Sequence, residues 1–180
     1  MPKDTTAKKE RLPVGFKQGN IIMILAEIYG TVIKVIGEIT QNAIDAKARR
    51  LVVVLDLSER KLVSYDDGEG SSREEMRFRV SKIGANLKKK DDIGHRGIGN
   101  LAPIAIANKC SMITHKLHQQ SPVPFFRVSF DRSMIEDRDE VFFDLADLPN
   151  FSFSIPGGPW TTSISVKEIE KTAIAALITS

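Results

Sequence analysis

The 180-residue chain contains one cysteine, three histidines and one tryptophan, and these scarcities remove whole classes of protein. A lone Cys110 cannot close an internal disulfide, so a disulfide-stapled scaffold is excluded and a reducing compartment is expected. With three histidines and no paired CxxC, no structural zinc spacing can be written. No apolar run approaches the ~20 residues that cross a bilayer, and the opening MPKDTTAKKERLP lacks the apolar core of a secretion signal. The expectation is a soluble, cytoplasmic protein that engages no membrane. Familiar nucleotide motifs are missing as well. There is no GxxxxGK[ST] phosphate loop, the glycines of GHRGIG run GxxGxG rather than GxGxxG, and no HRD or DFG is present.

What is present is ordinary globular material. Apolar residues make up 42% of the chain, enough to bury a core in one domain. The formal net charge is only +3, with basic residues dispersed apart from Lys8, Lys9 and Lys88 to Lys90, a balance that permits an anionic partner without demanding one. Residues 1–18 are polar, carry Pro2, Pro13 and Gly15, and read as an arm; residues 19–180 read as the domain.

Within that domain, residues 20–48 have a helical pattern broken at Gly30 and Thr31, and after the break Val32, Val35, Ile39, Ala43 and Ala46 line one face. RLVVVLDL at 50–57 and KLVSY at 61–65 predict an antiparallel hairpin. Ser72 predicts the cap of a helix through about residue 83, with Glu74 and Glu75 suited to its positive end. Residues 84–99 predict a loop feeding a helix. Strand-like runs at 110–117, 125–130, 141–145 and 161–169 suggest a meander, and the last fifteen residues or so favour a helix. Together these elements predict an α/β fold, a two-layer α+β sandwich with helices on one face of a mixed, largely antiparallel sheet.

Three features carry the chemistry. On the second helix Glu38, Asn42 and Asp45 are spaced i, i+4, i+7, within roughly 60° of arc, a row able to orient a water, hold a cation through oxygen or contact a polar ligand. The second feature is YDDGEG at 65–70, directly after a strand. The third is IGHRGIGN at 93–100, whose Gly94, Gly97 and Gly99 open an apolar segment and can turn backbone N–H groups toward an anion. Five of the twelve glycines fall in these two loops, a concentration that favours a ligand over scattered turns.

In order and interval the three features resemble the motifs of the GHKL ATPase superfamily, which groups type II topoisomerase ATPase domains, ninety-kilodalton heat-shock chaperones, histidine kinases and MutL proteins, with MORC-type ATPases close by. Glu38, Asn42 and Asp45 in EITQNAIDA match its first motif, Asp66, Gly68 and Gly70 its DxGxG, and Gly94 to Leu101 its glycine-rich third. SKIGANLKK at 81–89 is similar to a lid segment of MutL-like and MORC-like members. The resemblance implies the Bergerat fold, ATP or ADP as ligand and Mg2+ as cofactor. It implies Asp66 as reader of the adenine amino group, Gly68 and Gly70 as clearance for the nucleotide, Asn42 as magnesium ligand, Glu38 as general base and Asp45 as support. Gly94, His95, Arg96, Gly97, Ile98, Gly99 and Asn100 would border the phosphates, with Lys82 and Lys88 as further phosphate contacts. Thr162 falls where the family has a threonine at the adenine, with Thr161 the neighbouring alternative; Asp67 and Glu69 are expected bystanders. The implied function is slow ATP hydrolysis coupled to lid closure and a conformational or dimerisation change. The alternatives are a nucleotide-gated module acting on DNA or a protein partner, and a histidine-kinase-type phosphotransferase.

Overall fold

The break at Gly30 and Thr31 divides the first apolar stretch into two helices, α1 (Gln18–Glu27) and α2 (Val32–Asp45). Thr31 is extended at φ −134°, and its hydroxyl accepts the Lys34 N–H at 3.3 Å, satisfying one of the amide groups that a helix start leaves open. Val32, Val35, Ile39 and Ala43 are buried as one stripe of α2. The computed structural model describes residues 15–81, 99–117 and 124–179, with the side chains of residues 100 and 101 outside that set.

Strands β1 (Leu51–Asp56) and β2 (Lys61–Asp66) form the expected hairpin, in register from Leu51↔Asp66 to Asp56↔Lys61. Helix α3 (Arg73–Ser81) starts with a reciprocal cap, in which the Ser72 hydroxyl accepts the Glu75 N–H at 3.1 Å and the Glu75 carboxylate accepts the Ser72 N–H at 2.8 Å. Four further strands follow: β3 (Ala107–Thr114), β4 (Phe125–Asp131), β5 (Asp144–Leu148) and β6 (Thr162–Ile169); α4 (Lys171–Thr179) comes last.

The sheet order is β1-β2-β6-β3-β4-β5, and every pairing among the described strands is antiparallel. The parallel component expected of a mixed sheet survives only as direction: β2 and β3 run the same way, but β6 lies between them and opposes both. The later strands are therefore not a simple meander, because the last of them enters the middle of the sheet. On the helical side, Leu62, Cys110, Ile164 and Val166 pack against Val32, Val35 and Ile39. Burying each such side chain contributes roughly 1.5–3 kcal/mol. Two smaller clusters extend this layer, Ile22, Ala26, Ile104 and Ile135 around α1 and Met76, Phe126 and Val128 under α3.

Three local expectations shift. The helix predicted after the glycine loop is a 3₁₀ segment, Gly99–Ala105, because Pro103 has no N–H to return four residues back. Strand β3 starts at Ala107 rather than residue 110. Strand β5 runs over 144–148 instead of 141–145, since Val141 and Phe143 pack on the α1 cluster and the Val141 N–H is held by the Gln18 side chain at 3.2 Å.

Candidate functional site

The hairpin delivers Asp66 to the end of β2, where alternation with Leu62 and Ser64 turns its side chain to the helical face. Direct cross-strand partners share a face, so Asp66, Thr162 opposite it on β6 and Thr114 opposite Thr162 on β3 form one polar row. The Thr114 and Thr162 hydroxyls lie 3.0 Å apart, and Thr114 also accepts the Ser71 N–H at 3.2 Å. Asp66 is 8% exposed, and one of its carboxylate oxygens accepts the Gly68 N–H at 3.1 Å. Burial pushes its pKa up to about 6, the Gly68 amide opposing and the neighbouring Asp67 charge adding to the rise. Such a group is still a carboxylate at neutral pH, an acceptor held in a nearly dry site.

The loop after Asp66 is sewn to two elements at once. The Glu69 N–H donates to Ala46 at the end of α2 at 2.7 Å, and the Glu69 carbonyl accepts the Leu117 N–H at 3.0 Å beyond β3. A methyl group on Gly68 would lie 2.7 Å from the Ala46 carbonyl, and one on Gly70 only 1.8 Å from that of His115. Gly70 also has φ +65°, so both sterics and backbone demand glycine there. Thr161, 1% exposed, donates its hydroxyl to the Gly68 carbonyl at 2.8 Å and its N–H to that of Asp66 at 2.9 Å, which fixes the loop. The two threonines thus divide the work: Thr161 braces the loop, and Thr162 shares the face of Asp66.

Helix α2 carries Glu38, Asn42 and Asp45 as a half-buried row. Gln41 donates to Asp45 at 3.1 Å. A methyl group on Gly99 would lie 2.2 Å from a Glu38 carboxylate oxygen and 3.9 Å from the Asn42 amide nitrogen, so the backbone at the end of the glycine loop runs directly against the middle of α2. At ~1.5 Å per residue, the two contacts on this helix, Gly99 at Glu38 and Gly68 at Ala46, are about 12 Å apart along its axis.

The structure thus brings together Glu38, Asn42 and Gly99 at one point of α2, and Asp66, Gly68, Gly70 and Thr162 around the loop whose Gly68 meets Ala46, the residue after Asp45. Asn100 is placed only as backbone of the 3₁₀ segment. Lys82, Lys88, Gly94, His95, Arg96, Gly97 and Ile98 lie outside the described residues.

Sequence reasoning missed three contributors. Thr114 and Lys116 come from β3 and the residues just after it, and no local pattern announces the pairing of β3 with β6. Lys116 lies 3.3 Å from Glu75 and 3.9 Å from Glu69. Burial raises the Glu75 carboxyl, but the Ser72 amide and Lys116 outweigh it and hold the group below its ordinary value. Asp67, expected as a bystander, accepts the Arg49 and Arg50 N–H groups at 2.8 Å each and the Arg50 guanidinium at 2.9 Å, clamping the start of β1. These bonds overcome the effect of its burial and hold its carboxyl low.

A buried aspartate, two close glycine approaches and a helix bearing a carboxylate and an amide thus lie on the helix-covered side of an antiparallel sheet, in a two-layer α/β domain. The family model described as histidine kinase-, DNA gyrase B-, and HSP90-like ATPase matches residues 30–148, well over half of the chain, and the chain belongs to this GHKL family. No curated protein matches it. The matched span covers all three motifs, on α2, in the loop after β2 and at 94–101, and stops short of β6.

Proposed function

We propose that the domain binds Mg-ATP along α2 and hydrolyses it slowly, coupling lid closure to a conformational or dimerisation change. The observation that carries this is the pair of loop contacts on one helix: a buried carboxylate beside Gly68 at one end and a glycine backbone beside Glu38 and Asn42 at the other. An elongated ligand with a base and a phosphate tail fits such a track. Asp66 accepts a hydrogen bond from the adenine amino group, Thr162 supports it on the same face, and Gly68 and Gly70 leave room for the base. Asp45 supports the nucleotide side of the helix row.

The phosphates are assigned to the glycine-rich stretch 94–100, with its backbone N–H groups as donors and Lys88 and Arg96 as added charge. A magnesium ion takes oxygen ligands and keeps several waters, so a single protein oxygen plus phosphate oxygens suffices for it. Asn42, whose amide end lies by Gly99 one helical turn from Glu38, would offer its side-chain oxygen for this. When bound, the ion neutralises phosphate charge. Glu38 takes the proton of the attacking water as its oxygen bonds to the γ-phosphorus and ADP departs with the electrons of the broken P–O bond.

Glu38→Ala tests the assignment. Nucleotide binding persists and steady-state phosphate release disappears; unchanged turnover removes Glu38 as the base.

A further inference from the structure

Among the described residues β1 pairs with β2 alone and ends the strand order. Its register is continuous, without a bulge, and LVVVLD carries no proline and a single charge, Asp56 at its end, so among the described residues little blunts the middle of this edge strand. The Arg50 carbonyl accepts the Asp67 N–H on the β2 side, and alternation then turns the N–H and C=O groups of Leu51, Val53 and Leu55 outward.

The side-chain pattern selects the occupant. On the open face of the sheet stands the row Arg50, Val52, Val54, Asp56, with Val54 49% exposed. Paired with itself in the opposite direction, this row is self-complementary: Arg50 meets Asp56, and Val52 meets Val54. Arg49 reinforces the positive end and Glu59 the negative one, so parallel pairing would stack like charges while antiparallel pairing opposes them. Both ends have contacts within their own chain: Arg50 bonds Asp67 and the Gly157 carbonyl and lies over Trp160, and Asp56 accepts the Ser58 hydroxyl and the Glu59 N–H opposite Lys61, so the cross-copy charge pairing adds to these bonds and is weak.

We propose that β1 is a docking edge for a second copy of this chain, paired antiparallel about a two-fold axis through Val53. Leu51 then faces Leu55 of the other copy, with about six hydrogen bonds at the three outward-facing residues, and the two sheets become one. One strand pair is smaller than a stable interface of ~1,600 Å², so the dimer is weak and concentration-dependent.

Sedimentation of the full chain without nucleotide, from low to high micromolar, tests this independently of ATP binding. The wild type is expected to move toward twice the chain mass as concentration rises. Val53→Pro removes an outward N–H and is expected to stay monomeric. Val54→Lys, at a solvent-facing position that leaves the core intact, sets an ammonium group near Arg50 of the other copy and is expected to be monomeric with unchanged circular dichroism. A wild type that is monomeric throughout, its edge left to a different partner or to none, overturns the proposal. So does a dimer that Val54→Lys leaves undiminished.

Discussion

Asp66→Asn is expected to make the protein more stable at neutral pH while removing its nucleotide site. Folding moves this carboxyl from an ordinary value of 3.8 to about 6, because burial penalises the charged form. A raised acid pKa means that the native state binds more protons than the unfolded one between roughly pH 4 and pH 6, so stability falls as pH rises through that window and stays reduced above it. A shift of about two units at 1.36 kcal/mol each corresponds to ~3 kcal/mol. Asparagine has no charge to desolvate and its side-chain oxygen still accepts the Gly68 N–H, but its new NH2 group needs partners, which leaves an expected gain of about 1–3 kcal/mol. Urea denaturation of both proteins at about pH 3, 4.5 and 7.5 measures it, with the variant's advantage smallest at the lowest pH, roughly 1 kcal/mol greater at the middle one and largest at the highest. A variant that is less stable at the highest pH, or a difference that does not grow with pH, refutes the burial argument.

The adjacent carboxylate behaves oppositely. Asp67→Ala leaves the Arg49 and Arg50 N–H groups without their acceptor and is expected to cost about 1–3 kcal/mol at neutral pH by denaturation. Because the Asp67 carboxyl is held low, that loss shrinks as pH falls through its range, and ATP affinity by calorimetry is largely spared. Thr161→Val and Thr162→Val separate bracing from contact: the first lowers the melting temperature by removing the hydroxyl bonded to the Gly68 carbonyl, and the second weakens ATP binding with a smaller effect on melting.

Much of the fold follows from short-range rules that the residues state openly. Thr31 after Gly30 marks a helix start, Ser72 with Glu75 closes a reciprocal cap, and two β-rich runs separated by a short polar turn can hardly avoid pairing as β1 and β2. The candidate site was legible to the same extent. Glu38, Asn42 and Asp45 share a face because the helix period dictates it, and Asp66 turns inward because strand alternation does. What stayed hidden depends on distant pairing. Nothing near Thr162 says that β6 enters between β2 and β3, and only that insertion sets Thr162 beside both Asp66 and Thr114. Asp67 looked idle because its partners, Arg49 and Arg50, reach it only through the hairpin. The displacement of β5 has the same origin, since Val141 and Phe143 are claimed by a helix far earlier in the chain.

Everything proposed for the site turns on whether the buried carboxylate at the end of β2 reads an adenine base. Calorimetric titration of the wild-type protein with Mg-ATP and with Mg-ITP, which carries a carbonyl where adenine has its amino group, asks this of the protein itself. Measurable ATP binding is expected, with a loss of about tenfold or more for ITP, because the Asp66 carboxylate would then face an acceptor instead of a donor. Equal affinity for the two nucleotides would contradict it.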